Sequence, residues 1–233
     1  MGNCMIIEGS DQPEIAKKAW VARENGDPVL AIALWTQLLR ELELAGEWEK
    51  VINYLVDISI AWKNFASETE NPEYALTSLK TLDYAKFLAE KYNIPLRKDW
   101  ELLVGRVEVD CQNYSDAIKK LEHYLETAQL RPEEKADIKS QIGFAKFKSG
   151  DKEEGLKLLE EGLNDLEHIS EDVTYQDKSL VEIKRTGAKL RLARVLDDKE
   201  KAKKLAEEAL QEAQEKSLGA RVKEAQKLLD KMV

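Results

Sequence analysis

The chain has 233 residues, 43% of them hydrophobic and 35% charged, and carries a net charge of -9. That is too apolar for a disordered chain, and 11 Gly and 5 Pro are too few for the many tight turns of a β-sandwich. The acidic balance weighs against generic binding to nucleic acid or anionic membrane, and no apolar run approaches the ~20 residues of a membrane span.

The opening Met1-Gly2-Asn3-Cys4-Met5-Ile6 lacks the Ser or Thr that a myristoylation signal needs at its sixth position. No apolar stretch precedes Cys4, as a lipoprotein signal would require. Residues 1–11 read as a short flexible N-terminus, and 12–233 as one domain. From there nearly every segment has helical period, predicting helices at 12–25, 28–44, 47–68, 72–92, 96–110, 114–129, 132–148, 152–168, 173–196, 199–216 and 219–232. Ala202, Leu205, Ala206, Ala209, Leu210 and Ala213 show the pattern, with small or apolar residues three and four apart on one face and Lys, Glu and Gln on the other.

The breaks are short and chemically apt. Asp27-Pro28 and Asn71-Pro72 each place a capping side chain before a proline suited to a first helical turn. Asn93-Ile94-Pro95 and Arg131-Pro132 mark further starts. Ser149-Gly150-Asp151 reads as a glycine stop followed by an Asp cap, and Asp197-Asp198 serves likewise. The polar Ser170-Glu171-Asp172 is the weakest point of the pattern and reads as a longer loop. Short links make sequential helices antiparallel hairpins.

Three segments share one local grammar: Ile142-Gly143, Gly150-Asp151, Gly155, Leu159, Gly162; Val104-Gly105, Asn113-Tyr114, Ala117, Leu121, Tyr124; and Ala22, Gly26-Asp27, Ala31, Trp35, Leu38. Weaker copies run through Trp62, Ala66, Asn71-Pro72, Ala75, Leu79 and Leu82, and through Leu190, Ala193, Asp198, Ala202, Ala206 and Ala209. This grammar resembles the tetratricopeptide repeat over most of residues 12–216. The equivalent small positions 31, 75, 117, 155 and 202 are 44, 42, 38 and 47 residues apart, against a standard period of ~34. The resemblance is therefore to the elongated branch, and the spacing also suits a HEAT-like α-solenoid. The expected fold is all-α: a right-handed superhelical solenoid of about five antiparallel helical hairpins plus a C-terminal capping helix. Small residues such as Gly105, Gly143, Ala31, Ala75, Ala117, Gly155 and Ala202 let paired helices approach, and Trp35 and Leu121 fill the gaps between hairpins.

No catalytic, metal or cofactor motif is present. His123 and His168 lie in no HExxH or His/Cys cluster and read as surface residues. Cys4 and Cys111 form no CxxC pair, which fits a reduced cytoplasmic setting, and Cys111 reads as a small buried hydrophobe. Paired carboxylates such as Glu160-Glu161 read as solvated faces. The tryptophans at 20, 35, 48, 62 and 100 read as inter-helix core.

The resemblance implies that the first helix of each hairpin lines a concave groove for a partner's peptide. Carried over, its inner face is Lys17, Trp20, Arg23, Asn64, Arg106, Phe144, Phe147, Lys148, Lys184, Arg191 and Arg194. Arg191 and Arg194, one turn apart, continue with Arg106 and Lys148 as a basic stripe suited to an acidic or carboxylate-bearing segment. The expected function is a non-catalytic scaffold or adaptor, not an enzyme, with no cofactor and no membrane contact. The alternatives are a regulatory sensor module for a short peptide or small ligand, and an RNA-binding helical repeat, which the net charge disfavours. Self-association through the C-terminal helix is expected if its apolar face is uncapped.

Overall fold

A computed structural model describes residues 13–169 and 178–232. Among these residues there are eleven helices and no strand: α1 Glu14–Glu24, α2 Pro28–Ala45, α3 Trp48–Thr69, α4 Pro72–Tyr92, α5 Trp100–Asp110, α6 Tyr114–Thr127, α7 Pro132–Ser149, α8 Lys152–Glu167, α9 Lys178–Ala193, α10 Lys199–Glu215 and α11 Gly219–Asp230. The predicted N-terminal segment, the loop at 170–172 and the stretch 173–177 lie outside the described residues.

The local chemistry starts and stops these helices largely as read from sequence. Asp27 accepts a hydrogen bond from the Leu30 amide at 3.1 Å, Asn71 from Glu73 at 3.0 Å and Asp198 from Lys201 at 3.1 Å. Gly46 and Gly150 close α2 and α7 in the left-handed region, at φ 73° and 109°. Two expectations are corrected. Asp151 makes no side-chain cap to α8. The helix expected from residue 96 begins at Trp100, because Asn93 turns the chain at φ 53° and Arg97 donates two 2.9 Å hydrogen bonds to Asp99, holding a non-helical link.

The sequence reads as one domain over 12–233, and the packing groups its helices into two compact units, dividing between Asn113 and Tyr114. In the first, α1 packs on α2, α2 on α3, α3 on α4, and α5 on both α3 and α4. Its core runs from Ala16 and Ala19 through Trp35, Leu38, Val51 and Leu55 to Leu88, with a second cluster of Val56, Leu82, Leu103 and Val107. In the second, α6 to α11 pack in sequence, and α9 also touches α7 and α11. Its clusters centre on Leu159, Leu163 and Leu166, and on Leu190, Ala206 and Ala209.

The small positions behave as the repeat grammar requires. Ala31, Ala75 and Ala117 are fully buried, as are Trp35 and Leu121. Trp20, Trp48, Trp62 and Trp100 are half-buried against the first core, and Trp48 stacks on Tyr92 at 4.1 Å between ring centroids. Approach is closest between α7 and α8. A Cβ on Gly143 would lie 2.7 Å from the Leu159 amide nitrogen, and one on Gly162 would lie 2.8 Å from the Ala136 carbonyl. A Cβ on Gly155 would lie 2.7 Å from the Phe147 Cα and closer still to its nitrogen.

Since backbone, not a side-chain tip, stands in the way, Gly155→Ala must part the two helices. The expected loss is about 2–3 kcal/mol, as for overpacked cores. Gly46→Ala, which meets open space but keeps a positive φ, is expected to lose only about 1–2 kcal/mol. Urea denaturation of the two variants checks the ranking.

Candidate functional site

The first helices of successive hairpins in the second unit are α7, α9 and α11, and helical period puts polar residues on one face of each. Asp137, Ser140, Gln141 and Phe144 recur at three and four along α7. Asp137, Ser140 and Gln141 are nonetheless buried, at 4%, 0% and 8% exposure. Lone polar groups there would be costly, so the structure pairs them. Arg191 on α9 donates to Asp137 at 2.5 Å and to the Ser140 hydroxyl at 3.1 Å, and the Gln141 amide donates to Asp137 at 2.6 Å. One turn on, Arg194 donates to Glu224 of α11 at 2.8 Å, and Arg221 closes on the other oxygen of that carboxylate. Gly187 leaves space beside this pair: a Cβ there would lie 2.9 Å from the flexible Arg221 guanidinium.

The electrostatics follow from this crowding. Burial alone would raise the Glu224 carboxyl, but the guanidiniums of Arg221 and Arg194 outweigh it and hold the group well below the usual carboxylate range. Lys184, also on α9, is pushed down by burial, which Asp137, Glu133 and Glu134 only partly offset. Among the described residues none of those carboxylates closes to an ion pair with it. Glu133 is 1% exposed, with one oxygen held by Arg131 at 2.9 Å and the other without a hydrogen-bond partner.

The remaining predicted residues divide by surroundings. Phe144 and Phe147 are half-buried against the Leu159 cluster, with the ammonium groups of Lys148 and Lys152 5.5 and 5.8 Å from their ring centroids. Lys148 itself is exposed. In the first unit, Arg23 is buried rather than open: it donates to Asp57 of α3 at 3.0 Å and to Glu24 at 3.1 Å, and lies 4.7 Å over the Trp20 ring and 5.6 Å over Trp35. Lys17 pairs loosely with Glu14 at 3.8 Å. Asn64 and Arg106 are half-buried on α3 and α5. Arg23, Arg191 and Arg194 are thus paired with carboxylates of the same chain, Asp57, Asp137 and Glu224, which were not among the expected site residues. Asp57 and Asp137 were within reach of the helix period, standing seven residues, about two turns, before Asn64 and Phe144. Glu224 carries no such signal.

On another face of α9, Arg185 and Lys189 pair with Glu212 of α10 beside a shallow open depression of about 470 Å³. His123 and His168 are exposed, and burial with Asp110 and Glu108 nearby pushes the Cys111 thiol up to about 11. The described residues contain no group of three or more His, Cys, Asp or Glu placed to hold a metal ion, and no helix long and apolar enough to cross a membrane.

This arrangement, paired helices with a polar face on successive first helices, is the fold of tetratricopeptide-like helical-repeat proteins. No protein-family model and no curated protein matches the sequence. Solved structures do. The TPR-like repeats of a putative kinesin light chain from Podosopora anserina align at TM-score 0.51 and 16% identity, over 91% of this chain and 94% of that one. A single-substitution form of the same repeats aligns at 0.52 and 15%, over 87% and 94%. A signal transduction ATPase with a tetratricopeptide repeat sensor, from Pyrococcus horikoshii, aligns at 0.51 and 21% over 94% of this chain, which spans 32% of that larger protein. These likenesses establish the fold.

Two stability outcomes follow. Glu224→Gln leaves two guanidiniums without their shared anion and is expected to lose about 1–3 kcal/mol at neutral pH. Because the Glu224 pKa is lowered on folding, its contribution is present above the ordinary carboxylate pKa and fades as pH falls through the folded value. The variant's deficit in urea denaturation should therefore shrink towards strong acid. Lys184→Met removes an amine whose burial is incompletely repaid and is expected to be neutral or stabilising by up to about 1 kcal/mol in the same assay.

Proposed function

We propose that the chain is a non-catalytic protein-interaction module that holds an extended segment of a partner protein along the face of its first helices, with α7, α9 and α11 as the best-developed part. The observation that carries this reading is the linked set of charged groups kept on that face, Asp137–Arg191 and Arg194–Glu224–Arg221 with Lys184 beside them. Apolar side chains of similar volume would serve stability as well or better. A polar network retained there supports recognition.

The partner segment is one that bears carboxylates and at least one apolar side chain. Lys184 is the first cation a partner's carboxylate meets, since its own acidic neighbours do not close on it. Arg191 and Arg194 can contribute only by exchanging Asp137 and Glu224 for the partner's groups, so they rank behind it. Phe144 and Phe147 offer an apolar ledge, with Lys148 above Phe144. Trp20, Arg23, Lys17, Asn64 and Arg106 are the corresponding positions in the first unit, where Arg23 is structural before it is a contact. The compartment this reading assumes is the cytoplasm.

Peptides selected on the protein from a random display library test the reading. They are expected to be enriched in Asp and Glu. A Lys148→Glu/Lys184→Met variant with unchanged helix content should bind them about tenfold more weakly by fluorescence anisotropy, the ~1.4 kcal/mol of one charge-assisted contact. Peptides without acidic enrichment, or equal affinity for both proteins, would falsify the assignment.

A further inference from the structure

The outer faces of the second helices differ sharply between the two units. In the second, α8 exposes Lys152, Glu153, Lys157 and Glu160, and α10 exposes Lys201, Lys203, Lys204 and Glu207, an ordinary solvated surface. In the first, α2 exposes Val29, Leu30 and Leu44 at 55%, 48% and 84%, and α4 exposes Leu76, Tyr84 and Phe87 at 44%, 46% and 56%. With Val21 of α1 these are all the exposed large hydrophobics among the described residues. Scattered singly they would need no explanation, but six on two helices that both pack on α3 form a patterned surface.

Charge pattern identifies the occupant. Along the outer stripe of α4 the order is Glu73, Leu76, Lys80, Tyr84, Phe87, Lys91, with an acid at one end and a base at the other. Glu73 and Lys91 are eighteen residues apart, about five whole turns, so they project from the same side of the helix. Such a stripe complements itself reversed, and no uniformly charged partner matches it as well.

We propose that α4 is a self-docking surface, on which a second copy of this chain lies antiparallel about a two-fold axis level with Leu82. Glu73 of each copy then meets Lys91 of the other, about 14 Å on either side of the axis. Leu76 packs against Phe87, and the Lys80 ammonium reaches the face of the Tyr84 ring. The Tyr84 and Phe87 rings already lie nearly parallel, 6.4 Å apart, and offer a flat apolar contact. The docking surface is separate from the peptide-binding face and stands or falls independently of it.

Light scattering during gel filtration over a concentration series tests this. The wild type should rise from 26.6 kDa towards about twice that mass. Phe87→Asp, at an exposed position, should stay at the monomer mass with unchanged circular dichroism. Lys91→Glu should raise the dissociation constant about tenfold, and Glu73→Lys/Lys91→Glu should restore it by exchanging the two ends. If Phe87→Asp fails to fold, the charge-exchange pair still decides. A wild type that remains monomeric, a dimer indifferent to Phe87→Asp, or an exchanged pair no better than Lys91→Glu alone would each overturn the proposal.

Discussion

The close approach of paired helices at small residues is the constraint on which the rest depends. Between α7 and α8 the separation is so short that Gly143, Gly155 and Gly162 leave no room for a methyl group. An amphipathic helix of this kind cannot bury its apolar face alone, and stacking onto a neighbour is the only solution open to it. With that approach fixed, large side chains at Trp35, Leu82, Leu121 and Leu159 fill the spaces between hairpins. The alternation of first and second helices then follows, and with it the division of the surface into two layers.

On the layer of first helices the packing brings charge inward. Arg23 is enclosed by two indole rings and the Asp57 carboxylate, and Arg191 by Asp137 and Ser140. Buried ion pairs of this type seldom add net stability, because each charge loses its water, but removing one member leaves the other stranded. The Asp57 carboxyl shows the strain: burial raises it, and Arg23 and Arg97 only partly restore it. A face built this way has a set arrangement of donors and acceptors, and the second helices share in it where Glu212 of α10 receives Arg185 and Lys189 of α9.

What the sequence determined by itself was local. Helix period, the Asp-Pro and Asn-Pro starts and the Gly150 stop act within one turn, so most helices begin within two residues of where the pattern puts them. The starts expected for α1, at residue 12, and for α9, at residue 173, lie outside the described residues. α5 departs because the Arg97–Asp99 pairing is a local alternative that periodicity does not register. The repeat grammar, too, was legible, since small and large residues recur at fixed offsets. Phe144, Lys184 and Arg191 lie on the helices assigned to them, and Arg194 falls one residue past the end of α9.

Only the tertiary structure decided what those residues meet. Arg191 finds its carboxylate 54 positions away, Arg23 at 34 and Arg194 at 30. Helical spacing gives the direction of a side chain from its own axis but not the group on the neighbouring helix that it reaches. Two members of the expected basic stripe, Arg191 and Arg194, are therefore held in internal pairs, while Lys148 stays exposed. Likewise only the packing showed that the leucines and aromatics on the outer faces of α2 and α4 remain outside the core.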